Sequence, residues 1–316
     1  MTETLVRAGS GGAGPGRAAE SVRAVPQRRP GLRVAAMVVT FLLVFLLEGW
    51  ITNPRMQWGT VGEFLFSSVI MEGLRTTLLL TALAMALGVV GGVVLAVLRM
   101  SSNPILAQLS WCYIWVFRGT PLLVQLLFWY FLSAIVPTVG LGVPWGPTFV
   151  QADTNTLITQ LTAAVLGLGL HEAAYMAEIV RAGITSVDDG QNEAAQALGM
   201  SRGQTLRRIV LPQALRIIIP PTGNQAISML KTTSLVFAIA VPELLTSIQG
   251  IYSRNFQQVP LLVVACFWYL VATSVLNVGQ FYLERRFGRG ASRDLPLTPL
   301  QRLRAAARKN LKETAR

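Results

Sequence analysis

Six runs of this chain are long and apolar enough to cross a bilayer: Val34 to Ile51, Thr76 to Leu98, Leu106 to Val136, Thr156 to Val180, Ala214 to Thr246 and Val259 to Leu283. One crossing takes about 20 residues for about 30 Å of hydrocarbon. Inside lipid every backbone N–H and C=O needs a partner within the protein, so runs of this length are read as helices. The expected fold class is all-α transmembrane, with about six spans. Composition agrees: 52% of residues are hydrophobic and 13% charged, against roughly a quarter charged in soluble domains. The third run exceeds one crossing and is interrupted at "FRGTP", Phe117 to Pro121, where glycine and proline withdraw helix support. Arg118 and Pro121 are read there as a structural charge and a kink. The part before it, with Trp111, Tyr113 and Trp115, reads as an interfacial lead-in stocked with belt aromatics.

The net charge of +12 would suggest nucleic acid in a soluble protein. Its placement says otherwise. With the N-terminus inside and six spans, 23 of the 27 Lys and Arg residues fall on the cytoplasmic side, leaving Arg55, Arg75 and Arg254 outside and Lys231 within the fifth span. The charge therefore marks an inner face near anionic lipid, with both termini cytoplasmic, and no nucleic-acid partner is expected. Residues 1–33, rich in Gly and Ala, read as a disordered basic tail. Residues 34–51 read as an uncleaved first span, because "FLLEGWITNPRM" offers no convincing cleavage site for a signal peptide. Residues 57–71, with Trp58, Phe64, Leu65 and Phe66, read as a short amphipathic helix on the outer surface, and the basic residues 288–316 as a cytoplasmic tail lying along the inner one. One histidine and the two separated cysteines, Cys112 and Cys266, make no metal cluster and no nucleophile pair, so neither a metal site nor an enzyme is expected.

The segment "GQNEAAQALGMSRGQTLRRIVLP" at residues 190–212 is polar, set between two apolar runs, and on the cytoplasmic side by the same count. Its caps predict two short helices. Asp188 or Asp189 starts the first and Gly199 ends it in a left-handed turn. Ser201 starts the second as N-cap, with Gln204 completing a capping box. Pro212 is expected to end that helix before the chain re-enters the bilayer. A helix carrying Ala194, Ala195, Ala197 and Leu198 suits a groove on another protein; a solvated connector is the alternative that capping alone leaves open.

The spacing Glu193-Ala194-Ala195, three residues, Gly199, nine residues, Ile209, one residue, Leu211-Pro212 resembles the EAA loop of permease subunits of ABC importers. Around it "FRGTPLLVQL", "AAYMAEIVRAGITSV", "LPQALRIIIPPTGNQ" and "LKTTSL" are similar to the histidine/glutamine permease type, the polar amino-acid branch. The resemblance covers residues 73–287 as a five-helix permease domain. It implies an ATPase dimer held by Glu193, Ala194, Ala195, Gly199, Ile209, Leu211 and Pro212, an extracytoplasmic amino-acid-binding protein, a second permease, and a place in a bacterial inner membrane. ATP and Mg would sit on the partner ATPase: no Gly-Lys pair occurs in this chain, so it has no phosphate-binding loop of its own and no cofactor is expected in it. A secondary transporter or channel working without an ATPase is the alternative.

Ionisable residues inside spans are costly and default to functional hypotheses. His171, Tyr175 and Glu178 share one face of the fourth run by the i, i+4, i+7 rule, beside Glu172. His171, Glu172 and Tyr175 are expected to line a substrate pathway, and Glu178 to pair with Arg181 or Arg216. The family's commoner pattern at 171 and 172 is a small polar pair, so "HE" leaves the substrate's charge open. In the fifth run Pro220 and Pro221 are expected to kink the helix, with Asn224, Lys231, Thr232 and Thr233 offering pathway donors beyond the kink. Lys231 either attracts a carboxylate or pairs internally with Glu172 or Glu243.

Overall fold

The structure, a computed structural model, describes residues 30–142 and 148–287. Most of the two expected basic tails thus lies outside the described residues. The chain divides into two compact units, residues 1–56 and 57–316. The first contains α1 (Pro30–Ile51), the expected N-terminal span, and a single helical turn at Pro54–Met56.

The second unit begins with α2 (Trp58–Phe64) and α3 (Ser68–Arg99), followed by α4 (Pro104–Gly119) and α5 (Leu122–Tyr130). A two-stranded antiparallel hairpin comes next, β1 (Thr138–Gly142) with β2 (Thr148–Asp153), then the one-turn α6 (Thr154–Leu157) and the long α7 (Gln160–Thr185). The loop helices α8 (Asp189–Ala197) and α9 (Arg202–Thr205) lead into α10 (Leu211–Thr232), and α11 (Leu244–Asn255) and α12 (Gln258–Phe287) complete the unit. Among the described residues four helices are long and apolar enough to cross a membrane, α1, α3, α7 and α12, and two bent pairs, α4 with α5 and the α10 rod with α11, meet the same test jointly.

Helix α7 is the central strut: 61% of its span window is buried, against 28% for α3 and for α12. Hydrocarbon offers no hydrophobic drive between helices, so close approach and dispersion must hold them. The α3–α7 seam is built for that, because Gly88, Gly91 and Gly92 lie against Glu172, Ala173 and Met176, and a Cβ at any of them would overlap its neighbour. Gly167 makes room for Leu126 of α5 and Gly183 for Ile218 of α10 in the same way. Three apolar clusters stack along α3 from its first turn to its last, centred on Ile70, on Leu80 and on Ala96.

Both breaks in the bent pairs have local causes. Pro121 holds Thr120 extended (φ −114°, ψ 145°), ending α4 at Gly119, and α5 leaves at 104°. Gln125 satisfies the carbonyls orphaned by that stop: its Nε2 donates to Phe117 O (2.9 Å), Thr120 O (3.1 Å) and Thr120 Oγ1 (2.8 Å). The second break follows a tight turn at Thr233–Ile239 and Ala240 in the left-handed region (φ 57°), with a 47° bend into α11. There the fully buried Glu243 caps α11 by accepting from Thr246 N (2.8 Å), and accepts from Thr77 Oγ1 of α3 (3.2 Å) and the Tyr269 hydroxyl of α12 (2.8 Å).

Several sequence expectations change. The outer segment 57–71 is not one amphipathic helix: α2 stops at Phe64, and Ser68 onwards is the first turn of α3, with Ser67 extended at its start. The third run does not stay helical to Val136, because α5 ends at Tyr130 and the chain turns at Leu132–Ala134 before the hairpin that starts at Thr138. The fourth span starts at Gln160 rather than Thr156, capped by Thr159 Oγ1 on the Thr162 amide (3.3 Å). Pro212 does not end a helix. A π turn at Leu206–Val210 widens the ladder just before it, so the missing N–H and the ring are absorbed and α9 continues into α10. Gln213 Nε2 donates to Ile209 O of that turn (3.1 Å).

Candidate functional site

The polar loop folds as its caps dictate. Asp188 accepts from the Gly190 amide (2.9 Å) to start α8. Its end is a Schellman turn: Gly199 at φ 74°, with Gly199 N donating to Gln196 O (2.9 Å) and Met200 N to Ala195 O (3.0 Å). The capping box then starts α9, Ser201 N donating to Gln204 Oε1 (2.9 Å) and Gln204 N to Ser201 Oγ (3.4 Å). Glu193, Ala194 and Gly199 are exposed, and Leu198 stands out of the end of α8 at 81% exposure. Ala195 is fully buried, so it seats α8 on its own chain. Ile209 is half-buried, while Leu211 and Pro212 are exposed at the start of α10.

A second polar locus lies between α7 and α10. His171, Glu172 and Tyr175 meet Gln225, Ser228 and Thr232 around a cavity of about 180 Å³, floored by Met229. Gln225 faces Glu172 across this cavity, and Glu172 Oε1 is buried without a partner. The His171 and Tyr175 rings lie 5.0 Å apart, and His171 Nδ1 is 3.2 Å from Gln125 Oε1. Tyr175 also lines a second cavity, of about 800 Å³, with Arg99, Arg118, Glu178, Arg181, Trp111 and Trp115. The expected face of α7 is therefore continuous, running from the smaller cavity at His171 to the larger at Glu178.

Glu178 pairs with Arg181 (2.8 Å), as one of its two expected partners, and not with Arg216. Arg118 is more than a structural charge, since its guanidinium lies 5.2 Å over the Tyr175 ring and lines the larger cavity. Pro121 stands at the start of α5 as expected of a kink. Pro220 and Pro221 stay inside an unbroken α10; Gln280 of α12 donates to Pro220 O (2.7 Å), with Gly223 leaving room for its amide. Of the donors expected beyond the prolines, only Thr232 lines the cavity. Asn224 and Lys231 lie exposed on another face of α10, and buried Thr233 donates to Leu230 O (2.7 Å) within the turn that follows. Lys231 pairs with neither Glu172 nor Glu243. Sequence reasoning missed Gln225 and Ser228, although their i, i+3, i+7 spacing with Thr232 puts all three on one helical face, and it missed Gln125, whose partners lie on a different helix.

Residues 88–289 match the family described as the inner membrane component of binding-protein-dependent transport systems. The chain belongs to that family. It is 47% identical over 295 residues to the arginine transport system permease protein ArgU of Corynebacterium glutamicum, covering 92% of each chain. It is 35% identical to the glutamate/aspartate import permease protein GltK of Escherichia coli O6:H1, covering 71% of this chain and 98% of that one. A crystal structure of an amino acid ABC transporter with histidines superposes with a TM-score of 0.60 at 35% identity, covering 69% of this chain and 94% of the other. The fold is thus that of a transport component spanning the membrane.

Proposed function

We propose that this chain is the permease subunit of an ATP-driven importer, passing an amino acid from an extracytoplasmic binding protein into the cytoplasm. One observation carries the reading: α9, the π turn and α10 run without interruption from Arg202 to Thr232, with the loop at one end and the cavity wall of Gln225, Ser228 and Thr232 along their length. A force that reaches α9 is therefore carried to the cavity along one continuous helical path. The exposed face of α8, with Glu193, Ala194 and Leu198, is where a cytoplasmic ATPase dimer docks; ATP and Mg are held by that partner. The exposed polar residues Asn224 and Lys231 of α10 suit a wet interface with a second permease, itself or a paralogue, better than lipid. Both termini are cytoplasmic, in keeping with the basic residues near the loop. The relatives' names differ in substrate charge, so likeness alone leaves the amino acid open.

The test is Glu193→Lys combined with Leu198→Glu in the full complex. The expected outcome is normal membrane insertion, loss of the co-purifying ATPase and loss of uptake. A double variant that still assembles and transports at the original rate overturns the docking face.

A further inference from the structure

The end of the molecule away from the polar loop carries a residue that its own fold does not explain. Leu244 and Ile248 of α11 and Leu261 of α12 cluster with Ile70 at the first turn of α3, whereas Val187 and Val210, which flank the loop, cluster with Ala96 near its last turn. A rise of about 1.5 Å per residue separates these clusters by about 39 Å along α3, more than the about 30 Å of hydrocarbon. The α11–α12 connection and the loop therefore face water on opposite sides. In that connection α11 ends on Phe256 in the left-handed region (φ 58°, ψ 17°), its amide donating to Tyr252 O (2.9 Å). Glycine is the usual residue at such a stop, because a Cβ there crowds the backbone. Gln57, Ala240 and Phe256 are the non-glycine residues in that region among the described residues, and Phe256 is the one aromatic. Its neighbours clasp across it: Asn255 Nδ2 donates to Gln257 Oε1 (2.9 Å) and Gln257 N to Asn255 Oδ1 (3.0 Å). Yet the ring packs on almost nothing. At 82% exposure it is the most open large apolar side chain among the described residues, followed by Leu198 at the tip of α8 with 81%.

Hydrocarbon does not cover it. Ser253, Arg254, Gln257 and Gln258 flank the turn, and Arg254 is exposed with no ion pair among the described residues. A free guanidinium in a polar turn does not sit among lipid tails. An open aromatic beside an arginine has the composition of an anchor for another protein. Members of this family serve binding-protein-dependent transport systems, so the partner that fits this side is the extracytoplasmic binding protein.

We infer that Phe256 is the anchor on which that binding protein docks, its ring entering an apolar pocket of the partner while Arg254 meets carboxylates at the pocket's rim. The inference rests on the reading that a binding protein delivers the amino acid, and adds where on this chain it lands. The backbone strain then has a function, because it fixes an apolar ring in water, in place for the partner, where another residue would suit the turn better.

The test uses the permease–ATPase complex in lipid nanodiscs and the purified binding protein, loaded from a mixture of the proteinogenic L-amino acids. The reading is the concentration of binding protein that half-maximally stimulates ATP hydrolysis. Phe256→Asn and Phe256→Gly suit the left-handed backbone, so both are expected to hold or raise the thermal midpoint of the complex. Both are expected to raise the half-stimulating concentration about tenfold or more, as loss of an interface anchor does. Phe256→Trp is expected to keep docking, and Arg254→Glu to weaken it most at low salt. Ser253→Cys, in a Cys112→Ser and Cys266→Ser background, is expected to react with a membrane-impermeant maleimide and to be shielded by saturating binding protein. A lower midpoint in both the Asn and the Gly variant makes the ring a part of the fold and overturns the inference. So does a cysteine shielded before binding protein is added, which puts the turn against lipid or a second copy. Unchanged stimulation of Phe256→Asn and Phe256→Gly overturns the anchor and leaves delivery by a binding protein standing. A wild-type complex that does not respond to the binding protein overturns the delivery reading and the inference with it.

Discussion

In the polar loop, the hydrogen bonds that shape α8 and α9 join near neighbours: Asp188 with Gly190, Ala195 with Met200, Ser201 with Gln204. In the cavity the groups come from separate helices, Gln125 bonded to His171 at 46 residues' separation and Glu172 facing Gln225 across α7 and α10. The loop is thus specified by its own few residues and holds its shape as a unit. The cavity exists only once α3, α5, α7 and α10 have closed on one another. Damage to the loop should remain local and show as lost coupling, whereas damage to the seams around the cavity should cost the fold.

The largest effect expected is at the α3–α7 seam. Gly92→Leu drives a side chain into Met176 and the Ala177 backbone. Overpacking of this kind costs about 3 kcal/mol, and here it also displaces the helix that carries His171 and Glu172. The outcome to look for is a sharp fall in the yield and thermal stability of the detergent-extracted protein. A stable Gly92→Leu variant would mean that the seam is loose and that the cavity is not built by close approach.

Gly199→Val is the counterpart in the loop. Its left-handed φ costs a side chain about 1–2 kcal/mol, confined to the end of α8. Insertion and thermal stability should stay near wild type, while co-purification of the ATPase falls about tenfold, which corresponds to about 1.4 kcal/mol. Ser201→Ala removes one half of the capping box at a cost of about 1 kcal/mol, with a correspondingly smaller loss by the same assay. If either variant reduces membrane insertion as Gly92→Leu is expected to, the loop is not the self-contained unit that its bonds describe.

Legibility follows the same divide. Asp188, Gly199, Ser201 and Gln204 act through fixed offsets, so cap rules place them correctly from the chain alone. The spans were legible because lipid demands long apolar runs, but their breaks were only partly so. Pro121 announced one break, whereas Ala240, an ordinary residue at φ 57°, announced nothing. Pro212 misled, because a local rule says that proline ends a helix and a π turn three-dimensionally accommodates it. The hairpin falls between the third and fourth apolar runs, in a connection to which the span count assigns no structure. In the cavity, charge drew notice to His171 and Glu172, and the face rule brought Tyr175 with them. Thr232 was expected alongside Asn224 and Lys231, but Gln225 and Ser228 carry no charge, and only the packing of α10 on α7 selects their face with Thr232 over that of Asn224 and Lys231.

That choice of face makes Lys231 the smallest expected effect on stability and a sharp one for the comparison. It sits on α10 one position from Thr232, yet is exposed and makes no ion pair, while Thr232 lines the cavity. Lys231→Met should therefore alter stability by no more than about 0.5 kcal/mol, the range of surface changes away from special features, with membrane level and thermal midpoint unchanged. Uptake is the informative measurement. A slower rate at constant protein level assigns the Lys231 face to the wet interface between permeases. An unchanged rate removes that face from the pathway and leaves the wall with Gln225, Ser228 and Thr232 as the functional side of the rod. A fall in protein level would instead reveal that Lys231 holds the fold, and the division between a cavity wall and an outer polar face of α10 would fail.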